Sequence, residues 1–477
     1  MKTGRTWFLK ILTVAAALSL HSCDAASNAP ETTVLQGATL FDGTGSAPVE
    51  NSVIIIEDEQ ITCAGDSDTC SPPADADIMD VSGQYITPGL IDAHVHFFQT
   101  GFFDSRPDAM DISDTYPFAE VAAYQKKNPE RYYDAYLCSG ITGVYDVGGF
   151  TWSLDFQDAA ERHPFAPHVA ASGPLITPDP RDDFNLPTDK TLVRLDSEQT
   201  GISTVQYLSE LDATGIKLWQ IPYEDETYMS HIDALAEEAE NRGNALIAHA
   251  TELTQAKAAI EAGTRLLVHS VSDTDVDEEF LDMADANDVI YTPTLIVSSG
   301  YMLAYRAAAG VEAYEINDPN NCVDGKTREL METADRFHDH SQMTDSFLSR
   351  LEAFDPDEDR LSSTELSNLM AVYEAGIPIA VGTDAGNPGT LHGISIYEEM
   401  EAMQEAGIPP EDLIVMATRN GAKAMEREDE FGTLEEGKLA NLILLEDDPS
   451  QNIANMRSIE QVMMKGTMKS VDAITAD

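Results

Sequence analysis

The 477-residue chain carries 28 Lys and Arg against 84 Asp and Glu, which leaves a formal net charge of −56. A charge of this sign excludes the basic footprint of a nucleic-acid binder, and it is typical of an acidic, solvated surface suited to a salty habitat. Because the chain is longer than a typical domain and 43% hydrophobic, we expect one large domain and a smaller one.

The N-terminus has the pattern of an export signal. Basic residues precede an apolar stretch at 11–20, which is too short to cross a bilayer as a helix. The following Leu20-His21-Ser22-Cys23 resembles a bacterial lipobox, in which the cysteine becomes the lipidated first residue. We therefore predict a signal peptide at 1–23, a tether at 24–31, and a periplasmic or membrane-anchored lipoprotein that touches the membrane only through Cys23. Ordinary signal-peptide cleavage nearby is the alternative.

Four cysteines follow the signal: Cys63, Cys70, Cys138 and Cys322. In an oxidising compartment Cys63 and Cys70 could close a small disulfide loop, and separate buried thiols are equally compatible with the sequence. None has the spacing of a zinc or redox motif, so we assign them no catalytic role.

Both ends of the chain contain short β-like runs, and the middle alternates apolar runs with helical stretches. The ends, 32–86 and 426–477, together predict a small β-sandwich domain. Residues 87–425 predict an α/β domain, a (β/α)8 TIM-type barrel, because continuous apolar runs suit parallel strands that are buried on both faces. The acidic stretch 298–361 predicts an elaborated loop and helix, a substrate lid. The eight apolar runs begin at Leu90, Gly143, His168, Gly215, Ala245, Leu266, Val289 and Ile377.

Several of these runs end in metal-ligand residue types. His94 and His96 close the first run, and residues i and i+2 of a strand point to the same face. His249, His269 and Asp384 each follow a further run, and active sites of such barrels collect at the carboxyl ends of the strands. Imidazole and carboxylate without thiolate suit zinc, and less specifically manganese, iron, cobalt or nickel.

Lys217 stands inside an apolar run, Gly215-Ile216-Lys217-Leu218-Trp219, where a buried ammonium is costly. One interpretation is a lysine whose charged end reaches water at the strand terminus. The other is a lysine with a lowered pKa, whose neutral amine takes up CO2 to form a carbamate that bridges two metals.

Three motifs resemble one family. The stretch 88–96 is similar to the opening motif of the amidohydrolase superfamily, and 382–386 with 391–393 resembles the closing motif of its imidazolonepropionase-like and prolidase-like branch. The stretch 432–442 resembles the family's return into the small β domain. The order HxH, Lys, His, His, Asp matches the binuclear subtype, and the resemblance spans about 32–469.

The resemblance implies a specific ligand set for two divalent metal ions, most simply zinc. His94 and His96 would bind the more buried metal together with Asp384. His249 and His269 would bind the second metal. Carboxylated Lys217 would bridge the two.

Two positions depart from the family pattern. Asn441 stands where many relatives have Asp, and we expect its role to be structural. Asp179-Pro180-Arg181 follows the family-like stretch 172–178, where some dipeptidase relatives carry Gly-Gly-His. Because of this second departure, the exact substrate of those relatives does not carry over to this chain.

The resemblance implies a small-molecule hydrolase that cleaves an amide bond with a metal-bridging hydroxide. Asp384 would act as general base and then general acid. His392 and Tyr223 are candidates for orienting the substrate or stabilising the oxyanion, with a supporting hydrogen bond and an ordinary loop residue as their respective alternatives. For Arg181 and Arg328, a solvated surface position is the better interpretation than a substrate contact.

For the substrate we favour a dipeptide or an N-acyl amino acid with a free carboxylate. A cyclic amide, lactone, ester or carbamate is the alternative within hydrolases, because function lies in the pocket rather than in the fold. A catalytically silent periplasmic binding lipoprotein is the alternative outside enzymes. The sequence leaves the oligomeric state open, a homo-oligomer included.

Overall fold

The computed structural model describes residues 32–74 and 76–475. The predicted signal peptide, the tether and the lipidation site Cys23 lie outside the described residues. Within the described part, no helix combines the length and the apolar character needed to cross a membrane.

The strands of the described residues follow one another in this order: β1 Thr32–Gln36, β2 Thr39–Leu40, β3 Val53–Glu57, β4 Gln60–Gly65, β5 Asp77–Asp80, β6 Tyr85–Pro88, β7 Leu90–Val95, β8 Ile141–Asp146, β9 His168–Ala171, β10 Leu175–Thr177, β11 Leu192–Arg194, β12 Gly215–Leu218, β13 Ala245–His249, β14 Leu266–Val268, β15 Ile290–Thr292, β16 Leu442–Leu445, β17 Ile459–Met464 and β18 Thr467–Ser470.

The α-helices lie mostly between the strands of the middle region: α1 Phe118–Lys127, α2 Glu130–Cys138, α3 Asp155–Arg162, α4 Glu198–Glu210, α5 Glu226–Arg242, α6 Leu253–Glu261, α7 Glu278–Ala286, α8 Val297–Ala308, α9 Gly325–Glu332, α10 Asp345–Ala353, α11 Ser363–Glu374, α12 Ser395–Ala406, α13 Pro410–Met416, α14 Arg419–Ala424 and α15 Val471–Thr475.

Local sequence explains the bounds of the helices, as α5 illustrates. Asp225 precedes α5, and its carboxylate accepts hydrogen bonds from the backbone N–H groups of Thr227 and Tyr228. Gly243 ends the helix with φ +76°, a left-handed conformation that glycine adopts without steric cost. Capping of this kind satisfies N–H groups that a helix leaves unpaired at its first turn.

The middle of the chain forms two sheets of parallel strands, which confirms the predicted α/β class. One sheet has the order β7-β8-β9 and the other has the order β11-β10-β12-β13-β14-β15. Every residue of β7 and β8 is buried, as expected for parallel strands covered on both faces. The strand pairing of the described residues does not run continuously around a circle, so the closed barrel stays a prediction.

The eighth predicted strand, which begins at Ile377, differs from the other seven. It forms isolated bridges instead of a ladder. On the β15 side Tyr291 donates to the carbonyl of Pro378 (2.9 Å) and Ala380 donates to that of Tyr291 (3.0 Å), and on the β7 side Ala93 donates to the carbonyl of Val381 (2.9 Å). The segment therefore lies between β15 and β7. Pro378 cannot donate a backbone hydrogen bond, and Asp384 turns into a left-handed conformation (φ +58°), so a regular strand is interrupted at both ends.

The two ends of the chain form two further, largely antiparallel sheets. Their orders are β4-β3-β1-β5 and β18-β17-β16-β6-β2, so the second sheet combines N-terminal and C-terminal strands. Side chains of both sheets share one hydrophobic cluster, for example Leu35, Ile54, Leu442 and Met463. The described residues from Thr32 onward form one compact unit, and the predicted boundaries at 86 and 426 stay predictions.

Two disulfides cross-link the described chain. Cys63 and Cys70 are bonded, which resolves the alternatives that the sequence left open, and Cys138 is bonded to Cys322. The second bond joins α2 to the stretch predicted as a lid. The same stretch packs on the loop after β7, where Thr327 donates a hydrogen bond to the carbonyl of Thr100 (3.2 Å).

The two disulfides differ in the length of chain that they close, and the difference is testable. The bonded cysteines are separated by 7 positions in the first disulfide and by 184 positions in the second. Chain-entropy arguments give about 2 kcal/mol for the short loop and about 5 kcal/mol for the long one. We expect Cys138→Ala with Cys322→Ala to lower the urea midpoint clearly more than Cys63→Ala with Cys70→Ala. Equal shifts for the two double variants would contradict this expectation.

Candidate active site

Six predicted ligand residues line one cavity of about 400 Å³ at the carboxyl ends of the parallel strands. Parallel strands bring residues that are distant in sequence to one edge, so this convergence follows from the topology. The six residues are His94 and His96 in and after β7, Lys217 in β12, His249 at the end of β13, His269 after β14 and Asp384 after the eighth run.

The six side chains form a close cluster. Asp384 Oδ1 lies 2.9 Å from His96 Nε2 and 3.3 Å from His94 Nε2, and the two Nε2 atoms are 3.3 Å apart. The ring of His269 is centred 4.9 Å from that of His94 and 4.4 Å from that of His249. One donor atom each of His94, His269 and Asp384 falls within 4.8 Å of the others, as a shared ion requires.

Burial controls the charges of the cluster. It lowers the pKa of His249 to about 3 and those of His94 and His269 well below their usual value, so these imidazoles are neutral and keep a lone pair for a ligand bond. Burial also lowers the pKa of Lys217 to about 7, although the charge of Asp384 acts in the opposite direction. A neutral lysine amine is the form that can react with CO2.

The donor set fits divalent metal ions. Lys217 Nζ and Asp384 Oδ1 are buried without a hydrogen-bond partner in the described chain, which is costly unless another group satisfies them. Neutral imidazoles and a carboxylate are common ligands of zinc and its neighbours. The site therefore has the ligands, the burial and the unsatisfied atoms that a metal centre requires.

Hydrogen bonds outside the cluster orient its rings. His96 donates from Nδ1 to the carbonyl of Gly148 (2.6 Å), which leaves Nε2 free to face Asp384. His269 Nδ1 is hydrogen-bonded to Thr294 Oγ1 (2.7 Å). Such partners fix the tautomer and direction of metal-binding histidines.

Two of the six residues have left-handed backbone conformations. His269 has φ +72° and Asp384 has φ +58°, conformations that non-glycine residues rarely adopt. Backbone hydrogen bonds hold both: His269 donates to Thr292 (2.9 Å) and Asp384 donates to His94 (2.7 Å). These strained backbone conformations direct the two side chains into the cavity.

His392 lies behind the cavity wall rather than in it. Its Nε2 donates to the carbonyl of Gln99 (3.0 Å), so its Nδ1 accepts from the hydroxyl of Tyr136 (2.6 Å). Burial lowers its pKa to about 3, which keeps the ring neutral. Because Gln99 lines the cavity, these contacts place His392 as a support for the wall, the alternative that the sequence left open.

Tyr223, Arg181 and Arg328 are not among the residues that line the cavity. Tyr223 borders a separate surface depression with Pro222 and Gln255, so the structure does not bring it to the cluster. Arg181 is half-exposed and contacts Asp183, and Arg328 pairs with Asp318. The catalytic role predicted for Tyr223 has no support from its position.

Sequence reasoning missed several lining residues, among them Arg106, Tyr301, Glu365 and Asn387. For Arg106 a signal existed, because it lies in the loop after β7, and such loops form the catalytic face. The other three come from α8, α11 and the turn after Asp384, where no motif marks an inward-facing side chain.

Gly382 leaves no room for a side chain beside His94, and this is testable. A Cβ atom there would lie 2.8 Å from His94 Cβ and 2.5 Å from Thr292 Cγ2. We expect Gly382→Ala to displace His94 and to weaken metal binding about tenfold or more, the scale of losses seen when ligand-orienting contacts change. Competition with a chelating dye measures the affinity.

Gly325→Ala is the matched control, because a Cβ at Gly325 meets nothing within 4 Å. The control variant should bind metal like the wild type. Wild-type affinity in Gly382→Ala would show that the glycine is not needed for the ligand geometry.

Comparison with known proteins agrees with this geometry. The family model described as "Amidohydrolase family" matches residues 85–469. An imidazolonepropionase from Geobacillus sp. (strain WCH70) is 22% identical over 432 residues, which cover 83% of this chain and 84% of that protein. An imidazolonepropionase from Shouchella clausii is 33% identical over 100 residues, so the chain matches only 22% of that relative's length.

A solved structure described as a Xaa-Pro dipeptidase with bound methionine in the active site has the same fold. It superposes with a TM-score of 0.67 at 22% identity and covers 92% of this chain and 100% of its own. The family match extends over most of the chain and includes all six clustered residues. The chain therefore belongs to the amidohydrolase family and is a hydrolase that acts on carbon–nitrogen bonds.

Proposed function

We propose that the protein is a binuclear metal-dependent hydrolase that cleaves the amide bond of a dipeptide or an N-acyl amino acid with a free carboxylate. The observation that carries the proposal is the convergence of four imidazoles, a buried lysine and a carboxylate in one cavity. The Xaa-Pro dipeptidase with the same fold supports this substrate class.

The metal ligands divide into two groups with one bridge. His94, His96 and Asp384 would hold one ion, and His249 and His269 the other. A carboxylated Lys217 would bridge them, because its buried amine has no other partner in the described chain. Zinc is the metal that this ligand set suits best. When bound, the metals would supply a Lewis acid for the substrate carbonyl and a water of lowered pKa.

Asp384 would move the proton. Its Oδ1 is buried, accepts no hydrogen bond and faces the histidines, so the carboxylate can accept a proton from the attacking water. The same carboxylate would then deliver the proton to the leaving nitrogen, as general acid after general base. The backbone hydrogen bond from Asp384 to the His94 carbonyl fixes this position.

Arg106 would bind the free carboxylate of the substrate. Its side chain is only 2% exposed and lines the cavity. Nε donates to Asp104 (3.0 Å) and Nη2 donates to the side-chain oxygen of Asn387 (3.2 Å), while its remaining N–H groups have no partner in the described chain. A guanidinium with free donors matches a carboxylate in a two-point contact.

Asn387 links this guanidinium to the reacting groups. Its Nδ2 donates to the carbonyl of Asp384 (3.1 Å), so a single amide group separates Arg106 from the loop of the proposed base. A substrate held by its carboxylate at Arg106 would therefore place a nearby amide bond at the ligand cluster. The apolar part of the substrate would face a wall formed by Phe98, Leu175, Phe184, Leu192, Trp219 and Val297.

We also propose that the parallel strands form one (β/α)8 barrel, with a β-sandwich domain built from 32–86 and 426–477, and that the protein is exported. The backbone hydrogen bonds on both sides of the eighth run support closure, and the shared cluster of the end sheets supports the sandwich. Two disulfides support an oxidising compartment, and the lipobox-like Cys23 supports a lipid anchor.

The test is hydrolysis by Asp384→Asn. Removing the basic carboxylate while keeping its shape should lower kcat by about 100-fold or more, the scale of general acid–base catalysis, while bound metal is retained. Zinc-loaded protein would be assayed in high salt with dipeptides, N-acyl amino acids, lactones and carbamates.

Asp233→Asn, an exposed position on α5, is the control and should keep full activity. Full activity in Asp384→Asn would refute the role of this carboxylate. Wild-type hydrolysis of lactones or carbamates alone would refute the substrate class.

A further inference from the structure

Glu365 is a cavity residue that the proposed chemistry does not use. It lies in the first turn of α11, and its side chain lines the cavity together with the metal-ligand cluster. Three carboxylates line this cavity: Asp108, Glu365 and Asp384. Asp108 lies 4.0 Å from Arg106 Nε, and Asp384 faces the histidines. Glu365 has neither a cation nor a hydrogen-bond donor as partner in the described chain, and unlike Asp384 it has no place in the proposed metal site.

Helix capping does not explain this side chain. Ser362 and Glu365 have the spacing of a capping box, in which each side chain would bind the other residue's backbone N–H. Only half of the box forms: Ser362 Oγ accepts from the N–H of Glu365 (3.4 Å). The carboxylate of Glu365 makes no return bond to Ser362 and borders the cavity instead.

Keeping this carboxylate unpaired has an energetic cost. The residue is half-buried, and burial raises its pKa to about 7. Perturbed groups without a structural partner concentrate where a ligand provides the missing interaction. A carboxylate accepts hydrogen bonds and favours positive charge, so the complementary ligand group is a cationic nitrogen.

We propose that Glu365 binds a positively charged nitrogen of the substrate, either the α-ammonium group of a dipeptide or the charged end of a basic side chain. This inference rests on the proposed function and narrows it. An N-acyl amino acid without a basic side chain has no such nitrogen. The preferred substrate would then carry a carboxylate for Arg106 and a cation for Glu365 at two places in one cavity.

Matched substrates test the inference and separate its two sources of charge. Glycyl-leucine and propionyl-leucine differ only in the α-ammonium group, and Nα-acetyl-lysine and Nα-acetyl-norleucine differ only in the side-chain ammonium group. We expect the wild type to favour the charged member of one pair by about tenfold or more in kcat/KM, the scale of a hydrogen bond to a charged group. The pair that shows the preference identifies the nitrogen.

Glu365→Gln keeps the shape of the side chain and removes its charge. It should abolish the preference, mainly by raising KM for the charged substrate, and leave the neutral substrate within about twofold. Glu374→Gln is the control, because Glu374 is an exposed glutamate of the same helix. Equal loss on both members of a pair, or no preference in the wild type, would overturn the inference.

Calorimetric binding separates this inference from the proposed function. Glycyl-leucine, Nα-acetyl-lysine and their neutral counterparts would be titrated into wild type and Glu365→Gln. A wild type that binds a charged ligand through Glu365 but hydrolyses no amide would refute the proposed function alone. A wild type that hydrolyses amides yet binds both members of each pair equally would refute the role of Glu365 alone. Neither binding nor hydrolysis would refute both.

Discussion

The structure depends on one electrostatic constraint, the packing of four buried or half-buried imidazoles, a buried amine and a buried carboxylate around one cavity. Taken alone this cluster is unfavourable, because Lys217 Nζ and Asp384 Oδ1 lose their water and gain no hydrogen bond. In the proposed site, metal ions held by Asp384 and the histidines, and CO2 added to the amine of Lys217 as a carbamate, would remove this penalty. Contacts in the surrounding chain hold these side chains in place.

The supports of the cluster extend well beyond its first neighbours. Glu399 is fully buried and accepts hydrogen bonds from the N–H groups of Leu295 (2.9 Å) and Ile296 (3.2 Å). That turn carries Thr294, which in turn orients His269. Asp92 similarly accepts from the N–H and hydroxyl groups of Thr383, next to Asp384. Buried carboxylates thus support the two cluster residues with left-handed backbones, His269 and Asp384.

A second network joins the C-terminal sheet to the parallel strands. Asn441 donates to His168 Nε2 (3.0 Å) and accepts from the N–H of Lys465 (2.9 Å). His168 also stacks on Phe431, with ring centres 4.4 Å apart. These contacts agree with the structural role expected for Asn441. They explain why an amide, which donates and accepts at once, is suited to this position.

The parts of the site that the sequence predicts are those that lie in or at the end of a continuous apolar run. Seven of the eight apolar runs form strands, because burial on both faces requires such runs. The six residues that line the cavity together were predicted because each stands in or near the end of such a run. Arg106 and Glu365 could not be found in this way, since their inward direction depends on tertiary packing of a loop and a helix. The Cys138–Cys322 bond joins positions too distant in sequence for spacing to reveal.

The same limit explains the eighth run and Tyr223. Pro378 and the turn at Asp384 interrupt strand pairing. The apolar content of the run gives no sign of this interruption. Tyr223 is a candidate for orienting the substrate or stabilising the oxyanion, but the chain after β12 leads it to another surface. Residue type combined with a position at a strand end therefore predicted the members of the cluster. Residue type alone, in a loop, did not.

The measurement that tests the central claim most directly is the metal content of the purified protein, determined by inductively coupled plasma mass spectrometry before and after chelation. The account predicts about two divalent ions per chain, mainly zinc, and a marked fall in melting temperature when they are removed, because the buried donors then lose their partner. A protein that carries no metal and melts at the same temperature with and without chelator would contradict the account.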